Sequence, residues 1–261
     1  MEQKTKIGLA LSGGGARGIA HIGVIKAFEE NDIEIHAVAG ASAGSIVGAL
    51  FAAGKTADEM LTLVRESSLF KIYKMEIPNG GLTNLTYISD KLKEVIPEDS
   101  FNALKIPLYV AVANLITGKL EILNKGSLSR IVRASSSIPF FFKPVLINGD
   151  LYVDGGVLDN LPVDPLINTM DVVIGVNVMP QYNVSHRNLQ NILGIANRVF
   201  DMGVWANTRT NLNRCDLTIE PVDLHRYTIF QISKYQEIYQ LGYMAGLAKA
   251  EEIKTLINKK L

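Results

Sequence analysis

The sequence predicts an α/β fold, a three-layer helix–sheet–helix arrangement with a mainly parallel central sheet. Three observations carry this expectation. Short apolar runs alternate with stretches whose apolar residues recur at helical spacing. The runs end near glycine, aspartate or asparagine, which favour tight turns. Val172 to Val178 is almost wholly apolar and β-branched, as a strand covered on both faces requires.

The elements follow in order. Ile7 to Leu11 reads as a buried strand, and Arg17 to Glu30 as a helix with its stripe at Ile19, Ile22, Ile25 and Phe28. Ile35 to Ala39 is a second strand. Ala43 to Ala53 is the next helix, closed by Gly54. Thr56 and Glu59 have capping-box spacing and open a helix running to about Ser68. Residues 69 to 84 are poorly periodic and suit either a lid over a cleft or an ordinary loop. Tyr87 to Val95 is helical. Leu108 to Leu115 and Lys119 to Leu123 form a hairpin about Thr117 and Gly118. Ser127 is placed to N-cap a helix reaching Ser137, which Pro139 stops. Val145 to Ile147 and Leu151 to Val153 make a second hairpin. Asn188 to about Asn213 and Ser233 to Lys259 read as long helices, with a short strand, Leu217 to Ile219, between them. The apolar stripe of the last helix, with Ile238, Leu241 and Ala245, is suited to packing on the domain. Its lysines are suited to complementing the helix C-terminus, with an anionic membrane surface as the alternative.

Composition bounds the function. The 261 residues show no composition break or repeat, so a single domain spanning 1–261 is expected. Its motif-bearing core runs over about 6–180, and a helical part over about 185–261 packs on it. A chain of this size buries roughly three quarters of its unfolded surface, enough for a core without staples. Lysine plus arginine number 26 and aspartate plus glutamate 26, an even balance that argues against a nucleic-acid binder. The single cysteine, Cys215, excludes an intramolecular disulfide and favours a reducing compartment. The apolar run at Ile7 is too short to span a membrane. A cytoplasmic protein is expected, with peripheral membrane contact left open.

Three strings carry chemistry. Gly40-Ala41-Ser42-Ala43-Gly44 lies between a strand and a helix and has the form of a nucleophile elbow, in which small residues flank an exposed serine. Ser12-Gly13-Gly14-Gly15-Ala16-Arg17-Gly18 offers backbone N–H groups to an oxyanion. A phosphate cradle is the competing reading of that loop. It lacks both the lysine–serine pair of a P-loop and the acidic residue of a dinucleotide site. Arg17 suits either an anionic head group or local packing. Asp154-Gly155-Gly156 sets a carboxylate at a strand end. Asp154 suits either direct deprotonation of Ser42 or capping of local amides. In the first role, partial desolvation would raise its basicity while leaving it ionised at neutral pH. None of the four histidines, His21, His36, His186 and His225, stands in an obvious catalytic context.

These three strings, in this order, resemble the patatin-like phospholipase family in its compact bacterial members. Ala134 to Pro139 and Val157 to Val163, with Asn160 and Pro162, are similar to further family segments. The resemblance covers most of residues 6 to 180, and departs slightly at Ala41, where threonine is frequent. It implies a patatin-like fold and a Ser42–Asp154 dyad with no metal and no cofactor. It also implies an oxyanion hole from the amides of Gly13, Gly14 and Gly15. The implied activity is hydrolysis of lipid esters, phospholipid or lysophospholipid, through an acyl-enzyme. Pro139 to Phe142 would then fit either an acyl-chain channel or plain core packing. The competing functions are an acyltransferase using the same dyad, a non-catalytic lipid-binding scaffold and a nucleotide-binding protein.

Overall fold

The computed structural model describes residues 4–66 and 85–260. The expected lid or loop at 69–84 lies outside the described residues. Among these, one eight-stranded sheet organises the fold, in the order β5-β6-β3-β2-β1-β7-β8, with β4 pairing β3. Its parallel strands are β1 (Ile7–Leu11), β2 (Ala37–Ala41), β3 (Leu108–Asn114), β7 (Val172–Val176) and β8 (Leu217–Ile219). β4 (Leu120–Leu123), β5 (Val145–Ile147) and β6 (Asp150–Asp154) add an antiparallel flank.

Strand alternation sorts the core into layers. Leu9, Leu11, Val38 and Val110 face one side, where they join a cluster with Ile22, Ile25 and Phe28. Ala10, Ala37 and Ala39 face the other, against Leu161, Val163 and Leu166. The first face is covered by α1 (Ile19–Glu30), α2 (Ala43–Ala52), α3 (Ala57–Glu66), α4 (Thr86–Val95) and α5 (Leu128–Ser135). The second is covered by α6 (Asp164–Ile167) and the end of α7 (Ile192–Leu212). The last helix, α8 (Tyr235–Lys260), buries Ile238, Gly242, Gly246, Ala250 and Ile253, and lies along α1. Its stripe therefore packs on the protein. Each fully buried side chain such as Phe28 contributes about 1.5–3 kcal/mol.

The capping box forms as its spacing predicts: the Thr56 N–H donates to Glu59 at 2.9 Å, and the Glu59 N–H to Thr56 Oγ1 at 3.2 Å. Three boundaries differ. β2 starts at Ala37 and runs to Ala41, because Gly40 and Ala41 pair with Val110 and Ala111 instead of turning. α5 ends at Ser135, and Ser127 does not cap it through its side chain. Ser127 Oγ donates to Asp99 instead, and Asp99 Oδ1 takes the Ser129 N–H at 2.6 Å. α7 begins at Ile192, where Asn191 caps the Gly194 N–H at 2.7 Å, so the expected start at Asn188 is four residues early.

Register brings the chemistry together. Ala41 on β2 is level with Ala111 on β3, so Ser42 is level with Val112. Val112 in turn pairs with Asp154 on β6. The serine and the aspartate thus stand at one height on either side of β3, about two strand spacings apart.

Candidate active site

Ser42 occupies the turn between β2 and α2 with φ 50 and ψ −125, a strained conformation for a residue with a side chain. The neighbours show why the flanks are glycine. A Cβ on Gly40 would meet the Gly44 carbonyl carbon at 2.6 Å, and one on Gly44 would meet the Leu11 carbonyl oxygen at 2.2 Å. The turn is held from α5: the Ser42 N–H donates to Ser135 Oγ at 2.9 Å, and Ser135 Oγ donates to the Ala111 carbonyl at 2.7 Å. The serine run at 134–139 therefore braces the elbow.

Asp154 is 3% exposed and Ser42 5%. The Ser42 hydroxyl and the Asp154 carboxylate line one small cleft, where the hydroxyl pulls the carboxyl pKa down. Asp154 Oδ1 also accepts the Gly156 N–H at 2.8 Å. Burial pushes the carboxyl up to about 7, against the opposing pull of these two donors. Desolvation is thus nearly complete where partial desolvation was expected, and it favours the neutral form. Gly155 is required by close packing, since a Cβ there would lie 2.2 Å from the Ala111 carbonyl oxygen.

In the glycine loop, one expected donor is already committed. The Gly13 N–H donates to Asn160 O and Asn160 Oδ1, both at 3.1 Å. The Gly13 N–H, expected as a free oxyanion donor, is thus engaged by Asn160. The Ala16 N–H is engaged as well, by Ile229 O at 2.8 Å. Among the described residues, Gly14 and Gly15 keep N–H groups without a protein acceptor, and both line a small cleft with Ser42, Asp154 and Asn160.

Arg17 packs. It is 3% exposed, its Nε donates to Tyr227 O at 2.7 Å, and its guanidinium stacks on the Tyr182 ring at 5.4 Å. It ties the start of the loop's helix to the segment 227–229. Three of the four histidines are engaged elsewhere. His21 Nε2 lies 2.8 Å from Ser12 O, and burial pushes the ring down to about 4, so it is neutral and donates there. His36 Nδ1 accepts the Ile7 N–H, and His225 Nδ1 lies 2.7 Å from Val222 O.

The residues that sequence reasoning missed lie on α7. Thr208 Oγ1 accepts Asn160 Nδ2 at 3.2 Å and donates to Val204 O at 2.7 Å. Asn207 takes the Asn160 N–H at 3.0 Å and donates to Gly156 O at 3.0 Å. Asn211 donates to Asp159 and to Leu161 O. Asn160 stood in a segment quoted for the resemblance. The α7 residues gave one signal, polar side chains at helical spacing inside a long helix.

Two cavities lie on either side of Ile138. A narrow apolar crevice of about 110 Å³ starts at Ser42 and is lined by Ile46, Leu50, Leu85, Ile88 and Phe142. A wider basin of about 510 Å³ lies beyond Ile138, walled by Arg17, Phe141, Tyr182, Arg198 and Asp201. The Phe142 ring thus faces the crevice, while Phe140, 74% exposed, stands at the basin's edge.

Together these features define an α/β protein with a strained serine at a strand–helix turn, a buried carboxylate beside it and a glycine loop above. A patatin-like phospholipase family model matches residues 9–167. The chain belongs to the patatin-like phospholipase family. It is 33% identical to an uncharacterized NTE family protein of Mycobacterium bovis, over 66% of this chain and 49% of that protein. It is 29% identical to a lysophospholipase nte1 of Neosartorya fischeri, over 95% of this chain and 18% of that protein. The chain thus spans about half, or less, of these relatives. In fold it is similar to VipD from Legionella pneumophila, with TM-score 0.55 and 17% identity, covering 99% of this chain and 67% of VipD. No described helix is long and apolar enough to cross a membrane.

Proposed function

We propose that this chain is a serine acyl hydrolase of lipid esters, with Ser42 and Asp154 as its dyad. The observation that carries the reading is the Ser42 hydroxyl set against the buried Asp154 carboxylate, beside two unengaged amides. Ser42 Oγ attacks the ester carbonyl carbon as Asp154 takes its proton. The amides of Gly14 and Gly15 hold the developing oxyanion, each such donor contributing about 3–4 kcal/mol to the transition state. The C–O bond to the alcohol breaks, and Asp154 returns the proton to the leaving oxygen. Water then attacks the Ser42 ester, giving its proton to Asp154, and the fatty acid departs as Ser42 regains its hydrogen. A buried carboxyl raised to about 7 suits both halves of this cycle, since a base and acid works best near the operating pH.

The cavities support a substrate with one chain beside the scissile ester. The narrow apolar crevice fits an acyl chain, and the basin, with its arginines and tyrosine, fits a polar remainder. A lysophospholipid has this form, and the fungal relatives carry that activity in their names. Labelling with a fluorophosphonate probe, followed by mass spectrometry of fatty acid released from lysophospholipid, tests the reading. Labelling at Ser42 and release that stops in Ser42→Ala are expected. Undiminished release by folded Ser42→Ala would overturn it.

A further inference from the structure

The two faces of α7 do different work. Val204, Asn207, Thr208 and Asn211 turn inward onto the segment 156–161. On the opposite side of its first three turns stand Ile192, Ile195, Val199 and Met202, at 87%, 49%, 62% and 57% exposure. Their spacing of three, four and three residues puts them on one face. A contiguous apolar stripe on a helix surface, open to solvent, marks an interaction site. We propose that this face seats the protein on an anionic lipid surface, with the mouth of the basin turned toward the lipid.

Three observations select that occupant. The stripe is continuous with the cleft: Gly194, Arg198, Phe200 and Asp201, from the same turns, wall the basin leading to Ser42. Phe140, on the same basin's edge, is 74% exposed, so an aromatic ring stands in solvent at this mouth. Residues 186–209 carry three arginines and one aspartate in a chain whose net charge is zero, a local excess of positive charge that complements an anionic headgroup layer. The choice of lipid as occupant rests on the hydrolase reading, because a lipid ester is reached from its own aggregate.

The test separates the two. Ser42→Ala protein is floated with phosphatidylcholine vesicles, with and without phosphatidylglycerol. It is expected to float with the anionic vesicles, and Ile195→Asp or Val199→Asp on the same background to lower partition about tenfold. Neither residue lines the cleft. With Ser42 restored, both variants keep fluorophosphonate labelling and turnover of a soluble p-nitrophenyl butyrate, while release from vesicles falls in parallel with binding. Equal flotation by the variants, or none by the parent, overturns the docking face. A concentration-dependent dimer that the variants split also overturns it, because the stripe then seats a second copy. Failed labelling with intact flotation would instead strike the hydrolase reading and leave the surface standing.

Discussion

Residues 7–156 bring chemistry to the cleft on strand ends, whereas residues 204–229 reach it with side chains from mid-helix and with bare carbonyls. The first region places Ser42 and Asp154 by backbone register: Ala41 opposite Ala111, Val112 opposite Asp154. Flanking backbone approaches so closely that glycine is required at Gly44 and Gly155. The second region makes no bond to Ser42 among the described residues. It fixes the partners of the glycine loop: Thr208 and Asn207 hold Asn160, Asn160 holds Gly13, and Tyr227 O holds Arg17. The proposed dyad is thus set by the sheet, and the surroundings of the proposed oxyanion donors by a helix nearly 200 residues later in the chain.

If that division is right, variants in the two regions fail differently. Asp154→Asn removes the proposed base and is expected to lower kcat/KM for a soluble ester by about 10²–10⁴-fold, with the melting transition retained. Asn160→Ala removes the side-chain acceptor of the Gly13 N–H, leaving only the backbone carbonyl at 160, and lets the loop shift. A displacement of about 1 Å costs up to ~10²-fold, and the loss should fall on kcat with KM little changed. The pH profiles sharpen the contrast. Wild-type kcat/KM should rise as pH passes through about 7 and level off above it, because the base acts ionised. Asn160→Ala should keep that midpoint, since the Asp154 hydrogen-bond donors, Ser42 and Gly156, are retained. A midpoint moved by a unit or more would show that Asn160 acts on the base instead of the loop.

How much of this was legible depended on how local each cause was. The elbow, the glycine loop and Asp154-Gly155-Gly156 were legible because each demands several residue types within a few positions. The fold followed from the alternation of apolar runs. The end of β2 was not legible, because Gly40 and Ala41 have turn-like composition and become strand only by pairing with β3. Nor was the cap of α5, supplied by Asp99 from 30 residues away. Gly13 read as a donor like its two neighbours. Only the arrival of Asn160, from 147 residues along the chain, tells them apart.

A finer cut through the same network is Thr208. Its hydroxyl joins Asn160 to the α7 backbone, so Thr208→Val removes both of its hydrogen bonds, of which the one from Asn160 bears on the loop, and keeps the volume. The expected loss is about 1 kcal/mol, roughly fivefold in kcat. Thr208→Ser, which keeps the hydroxyl, should restore most of it. Equal losses in both variants would mean that the methyl group's packing matters and that no positioning chain runs through the hydroxyl.

The smallest expected effect is on stability, and its sign is diagnostic. The folded Asp154 carboxyl is raised to about 7 by burial, while an unfolded aspartate ionises near 4. Between those values the native protein keeps a proton that the unfolded chain has released. Wild type therefore loses stability as pH climbs through that window. Asparagine is uncharged throughout and can still accept the Gly156 N–H. Asp154→Asn should then melt a few degrees above wild type at pH 8, with the gap closing toward pH 5. Differential scanning calorimetry across that range reads it directly. A variant less stable than wild type at pH 8 would mean that the carboxylate is a favourable native interaction. That would place Asp154 among the structural caps instead of the strained groups that catalysis uses.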